Sequence, residues 1–259
     1  MTTKKYQTTL AIVLGSLLMT MSCNENSNAP SPSNSNVNAR VNNYTFDGTE
    51  GDPITLEVAT RWIDNYVNQN GETLTAHFFG RKVLEKTLSK NGCIGIRFYY
   101  SIDNSAKPTT LLIGTGSDGE NLGPIHGIRG KEATFALTST ASLSSSLADT
   151  EGDSISRATS HQWVINYNQK KPTGIQAHFF GNEIIKQILS QSGCIGIRTY
   201  YALNDAGVQQ LLLVGVIGSG KNMLPLSSSI NAKVTSDGGT VADMSFTCPT
   251  LCSSSGTSL

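Results

Sequence analysis

The chain repeats itself, and the repeat constrains the fold more than any other feature. Thr49-Glu50-Gly51-Asp52 returns as Thr150-Glu151-Gly152-Asp153, and Ala76-His77-Phe78-Phe79-Gly80 returns as Ala177-His178-Phe179-Phe180-Gly181. Gly92-Cys93-Ile94-Gly95-Ile96-Arg97 returns as Gly193-Cys194-Ile195-Gly196-Ile197-Arg198. One offset relates all three pairs without a gap, and about 28 of roughly 74 aligned pairs between 49–122 and 150–223 are identical, which marks a duplication. A Ser/Thr-rich stretch, 136–148, separates the copies and reads as a linker.

Local patterns give each copy an α+β reading. Leu56, Ala59, Ile63 and Tyr66 recur at helical spacing behind Thr55, a good N-cap, with Trp62 flanking the stripe. In the second copy Trp163, Val164 and Tyr167 keep the end of that pattern. Ile184, Ile185, Ile188 and Leu189, echoed by Val83, Leu84 and Leu88, predict a second helix, with Gly193 and Gly92 in the left-handed position that ends it. Ile94 to Tyr100 alternates and is β-rich, and Leu111-Leu112-Ile113 and Leu212-Leu213-Val214 predict the return strand of a hairpin. The alternating stretch 74–79 adds a strand before the second helix, and 133–137 a last one. The expected architecture is two tandem repeats, each of about two helices packed on a small sheet with an antiparallel hairpin. The expected modules span 45–135 and 149–259, and each is expected to melt cooperatively alone.

The N-terminus sets an address. Lys4 and Lys5 precede an apolar run, 10–21, too short to span a bilayer and suited to a signal peptide covering 1–22. That run ends in Thr20-Met21-Ser22-Cys23, which resembles a loose bacterial lipobox; the resemblance implies cleavage before Cys23 and acylation of that cysteine, with palmitate among the chains. The following residues, 23–44, are rich in Asn, Ser and Pro, a flexible tether reaching on the order of 25 Å. A chain so anchored is a membrane-bound lipoprotein of the bacterial cell envelope, expected at the outer membrane. Lys+Arg and Asp+Glu balance at 19 each, so no net field recruits nucleic acid.

The modules together resemble a group of small bacterial exported proteins with no assigned activity, which share an F-F-G, helix, G-C-x-G-I-R-x-Y-Y core and often a Cys-Pro-x-x-Cys tail. Here the tail is Cys248-Pro249-Thr250-Leu251-Cys252. The resemblance implies no functional residues.

Candidate chemistry rests on cysteine and histidine. His77 with Cys93, and His178 with Cys194, recur in both copies, and a thiol enzyme needs an imidazole within hydrogen-bond reach of its thiolate plus a third, orienting group. Arg97 falls on the same side of a strand as Cys93, and Asn65/Asn166 is the polar candidate for the third group. Against this, each cysteine follows a glycine and opens an apolar strand, so packing is the expected role. One His and one Cys per copy fall short of the four ligands of structural zinc, so no metal and no cofactor is expected. Cys248 and Cys252 suit a short disulfide loop in an oxidising exterior. Gly114-Thr115-Gly116-Ser117-Asp118-Gly119 has dinucleotide-fingerprint spacing, but Asn121-Leu122-Gly123-Pro124 cannot start the helix a pyrophosphate needs, so it reads as a turn. Phe78, Phe79, Tyr99 and Tyr100, with Trp62 and Trp163, read as core over ligand platform. The functional expectation is a non-enzymatic binding module for an envelope protein or polymer. Two readings stand beside it: a cysteine-dependent envelope enzyme, and a lipid-anchored inhibitor or immunity protein.

Overall fold

The computed structural model describes residues 45–71, 76–127, 147–225, 239–243 and 245–248. The signal, the tether with Cys23, nearly all of the linker, the strand expected at 133–137 and Cys252 lie outside the described residues. The fold is α+β, with four helices and two antiparallel sheets among those residues.

Each helix forms where its apolar stripe predicts. Helix α1, Leu56–Asn70, is capped by Thr55, whose side chain accepts from Val58 N, and it buries Ala59 and Ile63. Helix α3, Arg157–Lys170, starts at Ser156, whose hydroxyl accepts from Thr159 N, and buries Trp163, Val164 and Tyr167. The short helices α2, Arg81–Leu88, and α4, Asn182–Leu189, follow Gly80 and Gly181. Gly92 and Gly193 do adopt positive φ, 76° and 78°. They lie beyond the C-caps, Ser89 and Ser190, in the turn that leads into the next strand, so the glycines shape that turn and do not cap the helix.

Strand pairing corrects the picture of two adjacent modules. The first segment supplies β1 (Asp52–Ile54), β2 (Ala76–Gly80), β3 (Cys93–Ile102), β4 (Pro108–Gly116) and β5 (Asn121–Gly127). The second supplies β6 (Asp153–Ile155), β7 (Ala177–Gly181), β8 (Cys194–Leu203), β9 (Gln209–Ile217), β10 (Val241–Asp243) and β11 (Phe246–Cys248). One sheet runs β1-β10-β9-β8-β2 and the other β11-β7-β3-β4-β5-β6. The hairpins β3–β4 and β8–β9 stay within their own segments, but each Ala-His-Phe-Phe-Gly strand crosses over. β2 pairs with β8, Phe78 opposite Arg198, and β7 pairs with β3, Phe179 opposite Arg97. The outer strands cross as well: β1 pairs with β10, and β6 with β5. The stretch 136–148 therefore divides the sequence but not the fold, and neither 45–135 nor 149–259 holds a whole sheet.

Glycine permits the crossing. A Cβ on Gly95 would lie 2.3 Å from the Phe180 carbonyl oxygen, and one on Gly196 would lie 2.2 Å from that of Phe79. The core follows the same logic. Its main cluster joins Phe79, Ile96, Phe98, Tyr100 and Leu112 to Phe180, Ile184, Ile188, Ile197, Tyr201 and Leu213. Helix α1 covers the outer face of the first sheet with Ala59 and Ile63 against Tyr200, Ala202, Leu212 and Val214. Helix α3 covers the second sheet with Trp163 and Val164 against Tyr99, Leu111 and Ile113. Each long helix thus packs on the other segment's hairpin.

Gly95→Val and Gly196→Val are expected to destabilise the fold by about 3 kcal/mol or more, because a backbone carbonyl already fills the added group's space. Gly218, with nothing within 4 Å of a Cβ, should accept Ala within about 0.5 kcal/mol. Chemical denaturation of the three variants measures this; equal stabilities would contradict the described crossing.

Candidate functional site

The crossing moves the candidate catalytic residues apart. His77 lies on β2 in one sheet while Cys93 opens β3 in the other. Within the second sheet His178 sits opposite Phe98, five residues along β3 from Cys93, or about 15 Å at strand rise. His77 sits opposite Thr199, equally far along β8 from Cys194. Each thiol instead donates to a carbonyl two residues on, Cys93 Sγ to Gly95 O and Cys194 Sγ to Gly196 O, both at 3.2 Å. Cys194 is buried and Cys93 half-buried, both unoxidised.

A bulge explains why Cys93 does not share a face with Arg97. Register shifts between Cys93 and Gly95, and again between Cys194 and Gly196, so one residue is skipped and side-chain alternation inverts. Cys194 accordingly packs in the central core beside Ile197, on the face opposite Arg198. The proposed orienting residues serve the crossing: Asn65 donates to Leu203 O at 3.2 Å and Asn166 to Ile102 O at 3.0 Å.

Six recurring side chains do meet, at the centre of the molecule. Tyr100 and Tyr201 pack edge to face with centroids 4.9 Å apart. Tyr167 of α3 stacks on Tyr100 at 5.5 Å, and Tyr66 of α1 meets Tyr201 at 5.8 Å. His178 abuts Tyr100 and His77 abuts Tyr201, both at 5.5 Å. The hydroxyls cross between segments: Tyr100 donates to Gln210 O at 3.0 Å, and Tyr201 to Thr109 O at 2.9 Å. Nε2 of His77 lies 3.3 Å from Pro108 O, which only accepts, so that nitrogen carries the proton. Its Nδ1 then accepts from Thr110 Oγ1 at 3.0 Å. Burial pushes His77 down to about 4 and His178 down to about 3. It also pushes Tyr167 up to about 12 and raises Tyr100 and Tyr201 further. All of these groups are held neutral near pH 7.

Sequence reasoning missed two arrangements. His178 Nδ1 lies 2.7 Å from Ser245 Oγ, a distance that would fit a nucleophile and its base. An imidazole pushed down to about 3 is a poor base near neutrality, which disfavours that chemistry. The second is a buried cation in each sheet. Arg97 donates from Nη1 to Gly119 O at 3.0 Å and to Asn121 Oδ1 at 2.8 Å, and Asn121 donates to the Tyr99 hydroxyl. Arg198 repeats this with Gly220 O, Asn222 and Tyr200. Asn121/Asn222 and Gly119/Gly220 recur at the common offset, and that recurrence was the available signal.

The remaining candidates resolve simply. Phe79, Tyr99 and Tyr100 are at most 1% exposed and Phe78 and Trp163 at most 7%, so they build core, while Trp62 is half-buried. The glycine-rich stretch ends β4 and turns into β5, with Gly119 at φ 79°. Among the described residues no cluster of three or more His, Cys, Asp and Glu forms. Cys248 is disulfide-bonded, its partner outside the described residues. A groove of about 370 Å³ lies where the ends of α2 and α4 meet, floored by Leu88 and Leu189 and flanked by Arg81, Glu85 and Lys186. Arg81 is already spent there, donating to Leu189 O and Cys194 O and pairing with Glu85 at 3.1 Å. No family model, curated protein or solved structure matches the chain.

Two outcomes are expected. Both histidines titrate below their unfolded value of about 6.5, so the unfolded chain binds more protons. Their stabilisation is complete above pH 6.5 and lost as pH falls toward 4, at up to about 1.4 kcal/mol per pH unit for each. A Tm that stays flat from pH 7 to 4.5, or a decline unaltered in His77→Gln/His178→Gln, would contradict the burial. Iodoacetamide should label native Cys194 slowly and Cys93 faster, both insensitive to His77→Ala and His178→Ala when read by mass at pH 6–9.

Proposed function

We propose that this chain is a lipid-anchored protein of the bacterial cell envelope, held by acylated Cys23 on a flexible tether. Its duplicated module, of about two helices and a share of each sheet per copy, serves as a non-enzymatic scaffold that binds an envelope protein or polymer. The observation that carries the non-catalytic half is the separation of each thiol from each imidazole, with the imidazoles held neutral in the core. A thiol enzyme needs that pair within hydrogen-bond reach, and nothing in the packing lets a strand slide five residues to make it.

The address rests on the sequence before residue 45; among the described residues no helix is long and apolar enough to cross a membrane. A lipid on Cys23 then supplies the attachment, and more than one acyl chain makes it stable.

Fractionation tests the anchor. Cys23→Ser should move the protein from the membrane pellet to the soluble fraction with an unchanged melting profile. A variant that stays in the pellet, resistant to high salt, would overturn the lipoprotein reading. An active-site thiol probe that labels Cys93 rapidly at pH 6, with loss of labelling in His77→Ala, would favour the cysteine-enzyme reading instead.

A further inference from the structure

The contacts between the segments are reciprocal. Tyr100 bonds the carbonyl of Gln210, and Tyr201 that of Thr109, its counterpart at the common offset. Asn65 reaches Leu203 O and Asn166 reaches Ile102 O. Gly80 N donates to Glu151 O at 2.8 Å, and Gly181 N to Glu50 O at 2.7 Å. Ala76–Gly80 pairs with 196–200, and Ala177–Gly181 with 95–99. In each pair residue i of one half meets residue j of the other, while j of the first meets i of the second. That is the rule of an isologous two-fold interface, here realised inside one chain.

The residues making these contacts are largely those that recur unchanged. Tyr100/Tyr201, Asn65/Asn166, Gly80/Gly181, Gly95/Gly196 and both Ala-His-Phe-Phe-Gly strands are identical in the two halves. The recurrence is incomplete: Arg81, which donates to Leu189 O and Cys194 O of the other half, stands as Asn182 in the second copy.

One buried position departs from the symmetry near its axis. Phe98 lies 6.0 Å from Phe79 and 5.9 Å from Phe180, which are counterparts, so its ring sits almost equidistant from both halves, near the pseudo-two-fold axis. Its counterpart is Thr199, whose hydroxyl donates to His77 O at 3.3 Å.

We propose that each half is a pairing module whose specific partner is its sister module, so that the fold is a two-module complex written as one chain and needs no covalent link between its halves. This rests on the two-module part of the reading above and is independent of the lipid anchor. Phe98 opposite Thr199 makes the halves complementary: two first halves would crowd the axis with two rings, and two second halves would leave it underfilled.

The test uses the full chain, made soluble by Cys23→Ser, with a protease site inserted between Ser144 and Ser145. After cleavage the halves should co-elute as a one-to-one pair and melt in one transition whose midpoint rises with protein concentration. Tyr100→Phe/Tyr201→Phe removes both reciprocal hydroxyl bonds and should weaken the cleaved pair at least tenfold, whereas Gly218→Ala should leave its affinity unchanged. Halves that separate into species each melting cooperatively would overturn the proposal, since each would then own its core. So would loss of all structure on cleavage, which would make the linker essential. An affinity unmoved by the double Tyr variant would remove the reciprocal bonds as its basis. Membrane release in Cys23→Ser is read separately, so failure of the anchor and failure of the pairing are distinguishable.

Discussion

The fold depends on one contact, the approach of a five-residue strand from each half to the hairpin of the other at glycine. At Gly95 and Gly196 the neighbouring strand's carbonyl occupies the space of a Cβ, so no other residue permits the ladder to continue there. With Ala76–Gly80 seated on β8, α2 packs between its own β3 and the sister strand β8, and α1 lies across the sister hairpin. The tyrosine and histidine cluster follows from the same seating, because His77 and His178 enter beside Tyr201 and Tyr100 as the strands cross.

Much of this architecture was legible as local structure. Thr55, the stripe through Ile63, the second helices, the hairpins and the turn at Gly119 all lie where spacing and turn chemistry put them. What the sequence does not encode locally is partner choice. Period-two alternation says that Ala76–Gly80 is a strand with buried faces, but two identical strands and two similar hairpins offer two pairings with the same local score. Loop closure favours pairing within a half; the crossing is selected by contacts distant in sequence, such as Tyr100 with Gln210, which no window along the chain contains.

The thiol and imidazole of each copy lie apart for a related reason. Pairing His77 with Cys93 assumed that neighbours within a copy are neighbours in space, and the crossing sends His77 to the other sheet. The face assigned to Cys93 failed at a bulge of one residue, which leaves no mark in the Gly-Cys-Ile-Gly-Ile-Arg pattern beyond its second glycine. Strict alternation puts the arginine of that motif beside the thiol, whereas Arg97 points to the opposite face, toward Asn121.

Those arginines show why recurrence is a poor guide to catalysis in this chain. A guanidinium with no carboxylate among its hydrogen-bond partners is costly to bury, and among the described residues Arg97 Nε and Nη2 meet no hydrogen-bond acceptor. Its retention at both positions has a local cause. Arg97 Nη1 ties the tip of the β4–β5 turn, through Gly119 O and Asn121, to the middle of β3, and Asn121 passes the link to Tyr99. The strand thereby held is the one that receives β7, with Phe179 lying opposite Arg97 itself. The same bonds at Arg198 hold the strand that receives β2, with Phe78 opposite. The residue that looked like a thiol's cation therefore braces the receiving strand of each crossing, and its recurrence belongs to the pairing of the halves.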